Sequence, residues 1–185
     1  MKKETLLLTL LFGFIFSVFS QSTGDFEYRT DNGSITVTGY NGSEKEINIP
    51  EKINGLPVTA IGDEAFFRKK LTSITFPNTV ANIGRRAFSF NRLTSLTLPD
   101  SIVSVEFMAF SNNRLTSITL PNSLVSIGMR AFTENRLKDI TLPDSLDYLG
   151  DAAFSRNLIK SVYVPKSVRN FNSYTFDIYV KIFRD

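Results

Sequence analysis

Proline recurs at Pro77, Pro99, Pro121, Pro143 and Pro165, and phenylalanine at Phe66, Phe88, Phe110, Phe132, Phe154 and Phe176, each at a spacing of 22 residues. Two registers held at a constant offset of 11 are not a product of chance, and self-similarity at such a period is the mark of a solenoid. The best-formed unit runs from Leu115 to Arg136. Within it Ile118 and Leu120 alternate with Ser117 and Thr119, the period of two that belongs to a half-buried strand. Pro121 stops that strand. A shorter apolar pair, Leu124 and Ile127, precedes Gly128, and Ala131 with Phe132 closes the unit.

One such unit has no core of its own, so neighbours must stack in register and equivalent residues become columns. Ile74, Leu96, Ile118, Ile140 and Val162 are predicted to point inward from strands about 4.8 Å apart. The repeated Phe residues form an aromatic spine, each preceded by Ala except Phe176, which follows Thr175. This accounts for 17 Phe in a chain of 185 residues that has no Trp. Asn91, Asn113, Asn135 and Asn157 make a further column at the bend before each strand. They are read as amides that satisfy turn backbone groups rather than as a row of ligand-binding amides, because a buried bend must pair its N–H and C=O groups. The Pro-[Asn/Asp]-[Ser/Thr] triplets that begin at Pro77, Pro99, Pro121 and Pro143 are read likewise as turn chemistry.

The predicted fold is a β-rich solenoid of 22-residue units with a cap at each end. Residues 1–20 are expected to be an export signal: Lys2 and Lys3 precede an uncharged run of 14 residues from Leu6 to Phe19, with cleavage expected after Ser20. That run is short for a spanning helix, which needs about 20 apolar residues, so no permanent membrane span is expected once the signal is removed. Residues 21–46 are assigned to a linker and capping hairpin, in which Asp31, Asn32 and Gly33 supply the turn between two strand-like runs. Residues 47–185 are assigned to the solenoid, its first coil stretched by five residues around Asn54 to Val58. The Phe- and Tyr-rich stretch from Phe171 to Phe183 is expected to fold over the last coil.

The absence of Cys and His removes disulfides, thiolate nucleophiles, Cys or His zinc sites and any imidazole-based triad. No motif places a carboxylate pair in a pocket, so an enzyme is not expected, and neither a cofactor nor a metal site is. Taking Lys2, Lys3 and Glu4 away from 21 basic and 18 acidic residues leaves a net charge of +2, too near balance for nucleic acid to be the main partner.

The stretch from Asn54 to Phe66, together with the recurring Leu-Thr-Ser-Ile-Thr-Leu-Pro, Ser-Ile-Gly and Ala-Phe blocks, resembles the BspA-like leucine-rich repeat family, also called bacterial surface or Treponema-type repeats. The similarity covers roughly residues 26–176. Members of that family commonly carry a longer unit with a Gly-Cys turn after Ala-Phe; here the turn is shorter and lacks Cys. The resemblance implies an exported bacterial protein, extracellular, surface-held or periplasmic, and a family that includes adhesins. It implies no catalytic motif.

The outward strand positions are Ser73, Thr75, Ser95, Thr97, Ser117, Thr119, Asp139, Thr141, Ser161 and Tyr163. Threonine suits an exposed strand whatever its function, and the same row is also a flat, polar surface for a partner. Asp139 and Tyr163 are where that row departs from its own pattern. Asp144, Asp147 and Asp151 join Asp139 in an acidic patch, but no calcium-loop spacing is present and a solvated face is expected. Arg92, Arg114 and Arg136 stand 22 residues apart, with Arg85, Arg86 and Arg130 nearby. They read either as solvated turn residues or as a basic column facing an acidic polysaccharide or protein surface. The functional expectation is a protein-interaction module, adhesin-like, for a protein or polysaccharide surface. The alternative is an envelope-structural or self-assembling repeat protein.

Overall fold

The computed structural model describes residues 23–169 and 171–184, so the expected export signal lies outside the described residues. The chain winds as a β-solenoid of about seven turns with almost no helix. Two 3-10 turns, Thr23–Asp25 and Ser173–Thr175, are the described exceptions.

Each coil follows from three short blocks. The Pro-Asn-Ser block turns the chain, and the amide three positions along donates back to the proline carbonyl: Val80 to Pro77, Ile102 to Pro99, Leu124 to Pro121, Leu146 to Pro143 and Val168 to Pro165, at 3.0–3.3 Å. Proline suits the start of such a turn because its φ is preset. Ser101, Ser123 and Ser145 then donate their hydroxyls to Val80, Ile102 and Leu124 carbonyls of the coil before, so the turn residue also joins coils.

The short block that follows builds the principal sheet, which has eight strands. Leu56–Ile61, Asn82–Ile83, Ser104–Val105, Ser126–Ile127 and Tyr148–Leu149 run parallel and in register. Ile61, Ile83, Val105, Ile127 and Leu149 form its buried column. Glycine follows four of these five residues, and at three of the four it lets the coils close up: a Cβ on Gly84, Gly128 or Gly150 would lie within 2.7 Å of the preceding coil. The sheet continues at its N-terminal end into Ser34–Tyr40, parallel to Leu56–Ile61, and then into Phe26–Asp31, antiparallel. Between those two strands Asn32 and Gly33 both have positive φ, 47° and 76°, the two-residue hairpin turn expected of Asp-Asn-Gly. Lys52–Ile53 pairs antiparallel with the start of Leu56–Ile61 and accommodates the additional residues of the first coil.

The longer Leu-Thr-Ser-Ile-Thr-Leu block gives a weaker ladder than its alternation implies. On this face the strands pair two by two, Glu46–Asn48 with Ser73–Thr75, Ser95–Thr97 with Ser117–Thr119, and Ser161–Val164 with Lys181–Arg184. Residues 138–142 form no strand. Ile74, Leu96 and Val162 are buried as expected, but Ile118 and Ile140, which flank the junction where Ser117–Thr119 has no strand partner in the next coil, are only half-buried. The continuous inward column therefore belongs to the short block. At the C-terminal end Lys181–Arg184 does more than cover the last coil, since it adds a further parallel strand.

The third side of each coil carries the spine. Successive rings from Phe66 to Phe176 stack with centroids 4.9–5.7 Å apart and planes within 9°. Around each of the five rings from Phe66 to Phe154 the backbone takes the left-handed conformation twice, at Glu64, Arg86, Met108, Arg130 and Ala152 before it, and at Arg68, Phe90, Asn112, Glu134 and Arg156 after it. None of these is glycine, and such a conformation costs an ordinary residue about 1–2 kcal/mol. The cost is offset by amides turned toward the next coil, as in Phe88 N–H to Ala109 O at 2.8 Å and Phe110 N–H to Ala131 O at 2.8 Å. Phe26 and Tyr40 of the hairpin close the upper end of the spine, 6.4 and 5.8 Å from Phe66.

Truncating a central ring leaves a cavity that rigid neighbouring coils cannot fill. Phe110→Ala is expected to lower stability by about 3–5 kcal/mol, whereas Phe183→Ala, at an exposed ring, stays within about 0.5 kcal/mol. Urea denaturation followed by circular dichroism distinguishes the two.

Candidate functional site

The asparagine column is saturated by the scaffold. Asn113 accepts from the Leu93 amide at 3.1 Å and donates to the carbonyls of Phe88 and Phe110 at 3.0 and 3.1 Å. Asn91, Asn135 and Asn157 repeat the arrangement one coil apart, each spanning two adjacent coils. All four are buried. Their amides answer backbone groups at the bend, as the sequence reading holds.

Outward from that bend lies one exposed band. Ser73, Thr75, Ser95, Thr97, Ser117, Thr119, Asp139, Thr141, Ser161 and Tyr163 are all exposed on the face where the strands pair only in twos. At two of the unpaired junctions the surface opens into clefts. One is lined by Ser73, Thr75, Phe76, Ser95, Thr97 and Pro99, the other by Ile118, Thr119, Leu120, Asp139, Ile140 and Thr141. Asp139 thus sits at a break in the face, where the chain forms no strand. Tyr163 stands opposite Phe183 in the last strand pair.

Arg92, Arg114 and Arg136 border the same band, three residues before Ser95, Ser117 and Asp139, and all are exposed. Their backbones are held in a vertical row: Arg92 N–H donates to Leu71 O, Arg114 N–H to Leu93 O and Arg136 N–H to Leu115 O, at 2.8–2.9 Å. None of the three side chains has an ion pair or hydrogen bond among the described residues. Three other arginines have different surroundings. Arg86 is paired with Glu64 at 2.8 Å and lies over the Phe67 ring, Arg85 lies over Phe107, and Arg68 lies between the rings of Phe67 and Phe90. Arg85 and Arg86 therefore stand apart from the column. Lys70 belongs to it: it lies one repeat before Arg92 and is exposed and unpaired among the described residues. Carrying the 22-residue register one coil toward the N-terminus finds it in the sequence. Neighbouring cations one coil apart repel by about 1 kcal/mol or less in water, with salt reducing this further.

The acidic residues do not converge. Asp147 pairs with Arg169 at 3.2 Å and Asp151 accepts from the Asn172 amide. Among the described residues no group of three or more acids is placed to hold a metal ion, and no helix is long and apolar enough to cross a membrane.

Six copies of the BspA type Leucine rich repeat region match residues 59–182. The chain belongs to this family. Its relatives in three dimensions share the winding. The T. pallidum leucine rich repeat protein superposes with a TM-score of 0.76 at 27% identity, over 89% of this chain and 85% of that one. A leucine-rich repeat protein from Bacteroides ovatus superposes with a TM-score of 0.72 at 26% identity, over 90% of this chain and 53% of the other, so the present chain spans about half its length. No protein of curated function matches the sequence. BspA-type repeats are found in bacterial surface proteins, and leucine-rich repeat proteins are generally protein-interaction modules.

Because Asn113 serves backbone groups of two coils at once, its loss leaves the buried Leu93 N–H without its acceptor and removes one of the two asparagine donors from each of the Phe88 and Phe110 carbonyls. Asn113→Leu is expected to cost at least about 2 kcal/mol, read as a shift in the urea midpoint. Asn122→Leu, at an exposed turn position, provides the comparison.

Proposed function

We propose that the protein is an exported, adhesin-like recognition module that docks a macromolecular surface on its outward Ser/Thr face. The observation that carries this reading is the repetition, coil after coil, of exposed hydroxyls in one register on the face where the strands are not sealed into a continuous sheet. Such a surface has donors and acceptors in regular order and room for adjustment at the open junctions, whose two clefts among the described residues are open rather than enclosed. The absence of His and Cys and the scattered carboxylates leave no catalytic constellation among the described residues.

Binding of the purified protein to immobilised matrix proteins and to bacterial cell surfaces tests the reading. The variant Thr75→Glu, Thr97→Glu, Thr119→Glu places charge across the centre of the face without touching the core. It is expected to lose binding by about tenfold or more, equivalent to about 1.4 kcal/mol, with its thermal midpoint little changed. Retention of binding by that variant would remove the face from the reading.

A second reading, self-assembly, is supported by the outer strands of the same face. Glu46–Asn48 and Lys181–Arg184 each have one partner strand and one open edge among the described residues. Glu46 and Lys181 fall in the same column, so a second copy stacked in register would bring opposite charges together. Sedimentation at increasing concentration is expected to show growing species in that case, and a strictly monomeric profile excludes it.

A further inference from the structure

The basic column has a shape that general recognition does not require. Lys70, Arg92, Arg114 and Arg136 are all exposed, stacked on four consecutive coils and without a counter-charge among the described residues. Acids are available elsewhere and are used, since Glu64 pairs with Arg86 and Asp147 with Arg169. Glu134, two residues before Arg136 in the sequence, is occupied by Arg156. Asp139 lies three residues beyond Arg136 and makes no ion pair with it or with Lys138. The row ends at Leu158, but the neighbouring exposed column has already changed one coil earlier, from Thr72, Thr94 and Thr116 to Lys138 and then Lys160. The positive path therefore steps sideways and continues down the solenoid.

We infer that this path is a binding track for a linear acidic polysaccharide laid along the solenoid axis. The inference rests on the reading of the outward band as a recognition surface and names one ligand class for its edge. A polymer that carries one carboxylate on every sugar presents identical charges at equal intervals, and the coils present cations at equal intervals of about 4.8 Å. The backbone bonds at the bend keep that interval constant from Arg92 to Arg136. An arginine fork takes a carboxylate through two parallel N–H donors, and Thr72, Thr94 and Thr116 lie exposed beside the cations; the Thr72 and Thr116 hydroxyls donate to Lys45 O and Thr94 O, which leaves their oxygens to accept from sugar hydroxyls. An acidic protein surface has no such constant repeat. Single-stranded nucleic acid needs open aromatic platforms for its bases, and the exposed ring nearest the column, Phe90, is covered by the Arg68 guanidinium at 4.9 Å.

Polygalacturonate, neutral dextran and poly(dT) are the probes, titrated against the purified protein at several salt concentrations. Polygalacturonate is expected to bind, dextran not to, and the logarithm of affinity to fall with the logarithm of salt with a slope of about −3 for four cation contacts. The variant Lys70→Gln, Arg92→Gln, Arg114→Gln, Arg136→Gln is expected to lose most of that slope and about tenfold or more in affinity at low salt. Its thermal midpoint should be unchanged or higher, since like charges have been removed. A control with the same change in net charge, Arg29→Gln, Lys52→Gln, Arg130→Gln, Lys166→Gln, is expected to bind within about threefold of the unaltered protein, because those cations stand on other blocks of the coils than the bend that carries the track. No polygalacturonate binding at low salt, an equal loss in the control, or poly(dT) binding as tight with the same losses would each overturn the inference. If protein ligands are still held and still lost with the Thr75, Thr97 and Thr119 substitutions, the recognition reading survives that outcome.

Discussion

Backbone hydrogen bonds between successive coils set everything else in this molecule. Gly84 N–H meets Ile61 O on the sheet side, Phe88 N–H meets Ala109 O on the turn side, and Arg92 N–H meets Leu71 O at the bend. These three contacts, repeated down the chain, hold each residue over the one a repeat away. The Phe rings stack because their backbones are held one strand spacing apart. The asparagines reach carbonyls of two coils for the same reason. No coil owns its core: Phe110 lies between Phe88 and Phe132, and its burial depends on both.

A scaffold of this kind imposes its period on the surface too. Whatever stands outside one coil stands beside its equivalent on the next, so a hydroxyl becomes a row of hydroxyls and an arginine becomes a row of arginines. Rows of hydroxyls are tolerated without consequence. Rows of unpaired cations carry a repulsion, which is small in water but has the same sign at every step. The Arg85 and Arg86 environments show how this chain disposes of positive charge when it serves packing, through aromatic faces and a glutamate. Lys70, Arg92, Arg114 and Arg136 receive no such treatment among the described residues, which sets them apart from the scaffold.

The two broad faces of the solenoid also differ. One is a continuous parallel sheet sealed by close approach at Gly84, Gly128 and Gly150 and closed above by a hairpin. The other is paired in twos, open at junctions, and has the exposed hydroxyls. The BspA-type relatives from T. pallidum and Bacteroides ovatus keep the winding at 27% and 26% identity, so the winding tolerates wide replacement of residues. Columns that do no work for the winding are where members of the family are free to differ in what they bind.

The period, the Phe spine, the Asn column, the Pro turns and the Asp31-Asn32-Gly33 hairpin were all legible in the amino-acid order, because each depends on neighbours a constant number of residues away. Three features were not. The alternation in Leu-Thr-Ser-Ile-Thr-Leu points to the main ladder, yet the continuous sheet runs through the two-residue blocks ending at Ile83, Val105, Ile127 and Leu149. Alternation reports which side chains face inward, whereas pairing depends on how closely two coils approach across the whole cross-section. The left-handed residues flanking each Phe bear no glycine signature, since hydrogen bonds to the next coil stabilise what local preference disfavours. The separation of the arginines into those covered by rings and those left open depends on distances between side chains of different coils. The sequence by itself determined that this chain winds, with what period and around which side chains. Only the tertiary structure decided which face is sealed and which charges are left to meet a partner, because both are properties of contacts between coils and not of any one coil.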